Sequence, residues 1–493
     1  MWCLRPLSAS PGRRRPRLAA VVAVAVVGAA MGVFAQAPDR SKPPVVGPAP
    51  AVTLPTMDKR QLSNGLPVWI VEQHEVPVAQ INLVVRHGSL QDPPSKFGVG
   101  SMAAAMMMEG AGTRSSLELA DAVDFLGADL GVAITLDAWA VRLHVPVSRL
   151  GDALPLMADV ALRPTFPADE LERLRQQRLT SLVQAKDDAA TIAAVAFSRV
   201  LYGTARAGTP SMGTATSIRS FAVDDLRAIY RRAFRADAAT LIVVGDVSAD
   251  TVLPQLEQAF GGWTREPGGP LAPAPAATPA SRTRREVFLI DKPGAPQSQI
   301  RIGQVGVSRQ TPDYFPITVM NTVLGGSFSS RLNMNLREEH GYTYGASSSF
   351  DMRADAGPFV AAAGVQTDKT SESLTEFFKE LNAIRETVPA DELARSKNYV
   401  ALRYPGGFET TGDISRRLED MVVYALRDDY FARYVPAIDA VSAGAVAEAA
   451  QKYVRPGITA VVVVGDRQAI EPGIKALNLG PLTVMTVDDV FGR

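Results

Sequence analysis

Two short words recur in this chain in the same order and at nearly the same distance. Pro167-Ala168-Asp169-Glu170-Leu171 returns as Pro389-Ala390-Asp391-Glu392-Leu393, an offset of 222 residues, and Val243-Val244-Gly245-Asp246 returns as Val463-Val464-Gly465-Asp466, an offset of 220. Solenoid units repeat every 20–50 residues or so, and this period is far longer. It implies a whole domain duplicated within one chain. Length agrees, since 493 residues hold two to four domains at roughly 100–200 residues each. Between Pro267 and Ser281 stand five prolines, five alanines and no charged residue. Such a stretch cannot bury a core, so a semi-stiff linker over 266–283 separates a first half, 56–265, from a second, 284–493.

Each half mixes element types. Val68–Val71 and Ile81–Val85 read as strands, Phe97–Met108 as a buried helix, and Val132–Leu136 with Ala140–Val145 as an alternating strand pair. Ser115 followed by Glu118 is a capping box, which predicts a helix through Phe125. Helices over Ala168–Lys186, Thr191–Tyr202 and Val223–Phe234 precede a strand at Ala239–Val244. The second half repeats the order, with strands at Val287–Ile290, Gln299–Ile302, Phe359–Val365 and Ala460–Val464. Paired strands with helices between them predict an α+β fold of two homologous domains, each an antiparallel or mixed sheet packed with helices.

The amino terminus reads as an address. Arg13, Arg14, Arg15 and Arg17 precede an apolar run from Leu18 to Phe34, and Ala35-Gln36-Ala37 is a small-x-small cleavage signal. Residues 1–37 are therefore expected to be a secretory signal peptide, giving a periplasmic or secreted protein, or a membrane-anchored one if the segment is not cut. Six prolines over 38–55 predict an extended tether. The 51 basic and 51 acidic residues cancel, which argues against a broadly basic nucleic-acid binder. Removing the signal's five arginines leaves 46 bases against 51 acids, a mildly acidic mature chain. The one cysteine, Cys3, lies within the signal, so neither a disulfide framework nor a thiolate cluster is available.

Asn64-Gly65-Leu66, Gly98 before the helix ending at Glu109-Gly110, Ser330-Arg331-Leu332 with Leu336-Arg337-Glu338, and Gly341-Tyr342-Thr343-Tyr344 together resemble the pitrilysin/insulinase zinc peptidases and their mitochondrial-processing relatives. The likeness spans nearly all of the chain after residue 56. It implies an inverted zinc motif, His-x-x-Glu-His, on the helix near Gly98, with a later glutamate as third ligand. Those positions fall here on Ser101, Ala104, Ala105 and Ser181, and no glutamate occurs between Glu172 and Glu257. Serine and alanine cannot supply the imidazoles and carboxylate of a tetrahedral zinc site, so no metal is expected on this chain. His74, His87, His144 and His340 are too scattered to form a local pair and read as satisfied surface or core residues. Met106-Met107-Met108 point around a helix and read as core, while Glu109 reads as surface or interface.

The resemblance further implies that Arg337 and Tyr344 reach toward a zinc site to hold the substrate carbonyl and its oxyanion. The plainer reading is a helix-end arginine paired with Glu338 or Glu339, and a packed tyrosine. Gly325-Gly326-Ser327 is expected to open the helix carrying Arg337. Some bacterial relatives are split, one chain bearing the zinc motif and another the arginine–tyrosine pair. This chain resembles the second kind: a non-catalytic subunit whose expected partners are a zinc-bearing homologue, with the zinc on that partner, and a peptide substrate. The rival expectation is a structural or peptide-binding relative without a catalytic role.

Overall fold

The computed structural model describes residues 56–264 and 282–492. The expected signal, the tether and nearly all of the linker lie outside the described residues. The first half builds one six-stranded sheet from β1 (Met57–Gln61), β2 (Pro67–Glu72), β3 (Val78–Val85), β4 (Asp129–Ile134), β5 (Trp139–Pro146) and β6 (Ala239–Gly245), in the order β1-β2-β6-β3-β5-β4. The second half builds another from β7 (Glu286–Asp291), β8 (Gln297–Val305), β9 (Thr343–Phe350), β10 (Pro358–Gln366), β11 (Ala460–Gly465) and β12 (Leu482–Met485), ordered β9-β10-β8-β11-β7-β12. Five strands correspond one to one. In each sheet β6 or β11 is inserted between two sequence-consecutive strands, parallel to the first (β2 or β7) and antiparallel to the second (β3 or β8): Val243 pairs with Ile70 and Ile81, and Val463 with Leu289 and Ile300.

The two-domain α+β expectation holds, with helices packed on mixed sheets. The copies part at one edge. The first sheet is finished by β1, antiparallel and from the amino end; the second by β12, parallel and from the carboxyl end. Neither strand was legible in the sequence, nor was β9. Edge strands bury one face at most, and Thr343–Phe350 spends three serines and a glycine on a segment with little hydrophobic pattern.

The helices that matter here are α1 (Val99–Met106), α2 (Ser116–Phe125), α3 (Ala168–Ala185), α4 (Ala189–Tyr202), α5 (Tyr314–Leu324) and α6 (Thr411–Val423). Ser115 and Glu118 close the predicted capping box on α2. α4 packs against β8 and β11 of the opposite half, and α6 against β3 and β6. The halves thus exchange helices. Ile414, Leu418, Met421 and Val422 form one buried cluster with Val71, Val84, Ile242 and Val244, each side chain contributing roughly 1.5–3 kcal/mol. This exchange explains why β6 and β11 are apolar at nearly every residue, for they are covered on both faces.

Candidate functional site

α1 begins where the chain cannot carry a side chain. Gly98 has φ +94, and a Cβ there would lie 2.5 Å from the Met212 backbone. Asp92 satisfies the helix start by accepting from the Gly98 and Gly100 amides at 2.8 and 3.1 Å. Arg206 donates its Nε to the same carboxylate at 3.1 Å, both side chains being almost wholly buried. Burial pushes Asp92 up and Arg206 down despite their attraction, as expected where desolvation outweighs pairing.

Ser101, Ala104 and Ala105 are spaced to share one face of α1. Ser181 lies on α3, which packs against α1. One turn before Ser181, Arg178 sends Nη2 to the Ser101 carbonyl oxygen at 2.6 Å. Its Nη1 is sealed from solvent with no hydrogen-bond partner, and burial pulls the guanidinium down to about 10. Arg178 carries no motif of its own; its one sequence signal is a basic residue one helical turn from the position where the resemblance expects a metal-binding carboxylate.

A cavity of about 370 Å³ adjoins α1, lined by Ser101, Ile134 at the end of β4, Ser198 of α4, Arg206 and, from the second half, Arg353. The turn between β9 and β10 docks there: the Ala354 amide donates to Asp137 at 3.1 Å and the Tyr202 hydroxyl to the Ala356 carbonyl at 3.1 Å.

Arg337 lies in a π-helical stretch, Met334–Glu339, continuing the short helix Arg331–Asn333. Its Nε is 3.1 Å from Glu338, and its guanidinium stands 4.7 Å from the Phe328 ring centre. Half of the plainer reading is thus present: the arginine does pair with Glu338. Tyr344, however, is not packed; it is 88% exposed. Gly341, at φ +66, turns the chain into β9, and the pairing slips by one residue between Thr343, opposite Val365, and Ala346, opposite Ala363. Tyr344 and Gly345 form this bulge, which Thr343 pins by donating to the Gly364 carbonyl at 2.7 Å.

Three expectations need correction. Gly325-Gly326-Ser327 does not open the Arg337 helix. Gly325 closes α5, its amide donating to Asn321 at 2.9 Å, because a Cβ there would collide with the Ser348 amide. Glu109 is not a surface residue: largely buried, it accepts from Ser116 at 2.7 Å and pairs with Arg173 at 2.7 Å. His87 is not satisfied, since both ring nitrogens are buried without partners, and burial with Arg232 nearby lowers it to about 4. Met106 and Met107 are fully buried core residues.

Comparison with known proteins supplies the context. Residues 68–214 match the insulinase domain of peptidase family M16, and residues 220–400 match the peptidase M16 inactive domain. The chain is 24% identical over 367 residues to an uncharacterized zinc protease of Streptomyces coelicolor, covering 74% of this chain and 80% of that one. It is 25% identical to an uncharacterized zinc protease of Bacillus subtilis, covering 68% and 80%. Among solved structures, it resembles a peptidase M16 inactive domain from Pseudomonas fluorescens, with TM-score 0.77, 26% identity and coverage of 83% and 98%. A protease from Helicobacter pylori shares the fold at TM-score 0.77 and 17% identity, with coverage of 83% and 100%.

The zinc in the relatives' names does not fit the residues here. Two alanines and two serines stand where imidazoles and carboxylate are needed, and among the described residues no group of three or more His, Cys, Asp or Glu is placed to hold a metal ion.

Proposed function

Because the chain belongs to peptidase family M16, the insulinase/pitrilysin family, we propose that it is the non-catalytic, substrate-holding subunit of an exported two-chain zinc peptidase. The observation that carries this reading is that one chain combines a helix pair without metal ligands in its first half with Arg337 and an almost fully exposed Tyr344 in its second. The zinc sits on a homologous partner, where it activates water and polarises the peptide carbonyl. This chain's part is binding and charge stabilisation. An extended peptide pairs with a sheet edge of the complex so that its scissile carbonyl lies at the partner's zinc. Arg337 and the Tyr344 phenol then donate to the carbonyl oxygen as negative charge develops on it. The Tyr344 bulge aims the phenol outward, and the turn at Gly341 sets its approach. Residues 1–37 direct export, and the cysteine-free mature chain is suited to an oxidising compartment.

Arg337→Ala and Tyr344→Phe in the mixed complex test the reading. Each should lower turnover by about 10²–10³ while leaving assembly intact, as for the loss of an oxyanion donor. Unchanged turnover in both rejects it.

A second reading, a structural or peptide-binding member with no catalytic part, draws on one observation. Arg337 is already engaged by Glu338 and Phe328. It predicts that both substitutions are silent.

A further inference from the structure

The four stripped positions have gained something as well as lost it. Arg178 and Ser181 stand three residues apart on α3 and so share a face. From that face the Arg178 guanidinium crosses to α1 and donates to the carbonyl of Ser101, the first of the four positions, at 2.6 Å. The bond bridges the two helices that would have to converge on a metal. Nη1 is enclosed without a partner. A buried guanidinium lacking full compensation is costly and uncommon.

We propose that Arg178 takes over, as a fixed cation, the place a metal ion would hold between α1 and α3, so that the site is closed to metals by charge as well as by missing ligands. Two physical effects produce the closure. A divalent ion beside the guanidinium is repelled at low dielectric. A carboxylate restored at 181 would be captured by the guanidinium as an ion pair rather than left free to ligate. The inference does not depend on a partner subunit and stands or falls separately from the two-chain reading.

The experiment restores the ligands by Ser101→His, Ala104→Glu, Ala105→His and Ser181→Glu in the full chain, and measures zinc by equilibrium dialysis. With Arg178 present, zinc affinity should be at least about tenfold weaker than when Arg178→Met is added, and the five-residue variant should hold about one zinc per chain. Arg178→Lys in the same background keeps the charge and should still exclude zinc. Arg178→Met alone guards against misfolding: its Tm should not fall, because an incompletely paired buried charge is exchanged for an apolar chain of similar reach. Tight zinc binding with Arg178 in place, no gain on Arg178→Met, zinc held by the lysine variant, or a Tm drop of about 5 °C in the single variant overturns the proposal.

Discussion

Arg142 of β5 and Glu419 of α6 join the two halves of the molecule in a fork: Nε and Nη2 meet the two carboxylate oxygens at 2.8 and 2.6 Å. Asn82 donates to the same carboxylate at 2.7 Å, and Gln80 in turn donates to Asn82 at 2.6 Å. Glu419 is largely buried while Arg142 is partly open to solvent. Glu419→Ala removes the acceptor shared by two donors and should cost about 2 kcal/mol, below the 3–5 kcal/mol of a fully buried pair because Arg142 can rehydrate. Chemical denaturation checks this, and Glu419→Gln should lose less.

His87 gives the fold an acid sensitivity. Buried and held down to about 4, it is neutral when folded, whereas the unfolded imidazole protonates near 6.5. Above pH 6.5 both states are neutral and the residue adds no pH dependence. As pH falls from 6.5 to 4 only the unfolded state gains the proton, so stability declines by up to about 3 kcal/mol and then levels off. Urea midpoints at pH 7.5 and 4.5 should differ less for His87→Leu than for the parent chain. An equal loss in both would remove His87 as the cause.

Gly98→Ala should destabilise strongly. A non-glycine residue at φ +94 is strained by about 1–3 kcal/mol, and its Cβ also meets the Met212 and Gly213 backbone at 2.5–2.6 Å. Gly127→Ala offers the comparison: it has φ +61 but open space around it, so only the conformational part of the loss remains. Thermal unfolding of the two variants should rank them in that order.

Tyr344→Phe and Arg337→Ala should leave the chain's own stability within about 0.5 kcal/mol, because one side chain is almost fully exposed and the other makes a surface pair. Calorimetry of the isolated chain provides the check. A large loss would mean that these residues hold the fold together.

Much of this was legible in the sequence because it rests on periodicity and on punctuation. The buried strands at Ala239–Gly245 and Ala460–Gly465 announce themselves as β-branched and aliphatic runs, and the Ser115–Glu118 box marks its helix to the residue. The repeated words also acquire causes. Asp246 holds His74 at 2.7 Å, Asp466 accepts from the Gly294 amide at 3.0 Å, and Glu392 binds Arg331 of the second-half motif at 2.6 Å. What stayed hidden depends on contacts far apart in the chain. The exchange of α4 and α6 between sheets, the closing edge strands and the π-helical turn at Arg337 have no local signature. The same holds at the stripped helix pair. Absence of ligands could be read from Ser101, Ala104, Ala105 and Ser181, but the reach of Arg178 to the Ser101 carbonyl required coordinates.

We propose that this M16 family member holds no zinc of its own and hydrolyses no peptide by itself. Zinc content and endopeptidase activity of the purified full chain, measured together after dialysis against micromolar zinc, provide the check. The prediction is zinc far below one per chain and no hydrolysis. Stoichiometric zinc, or peptide cleavage by the chain alone that a chelator abolishes, would contradict it.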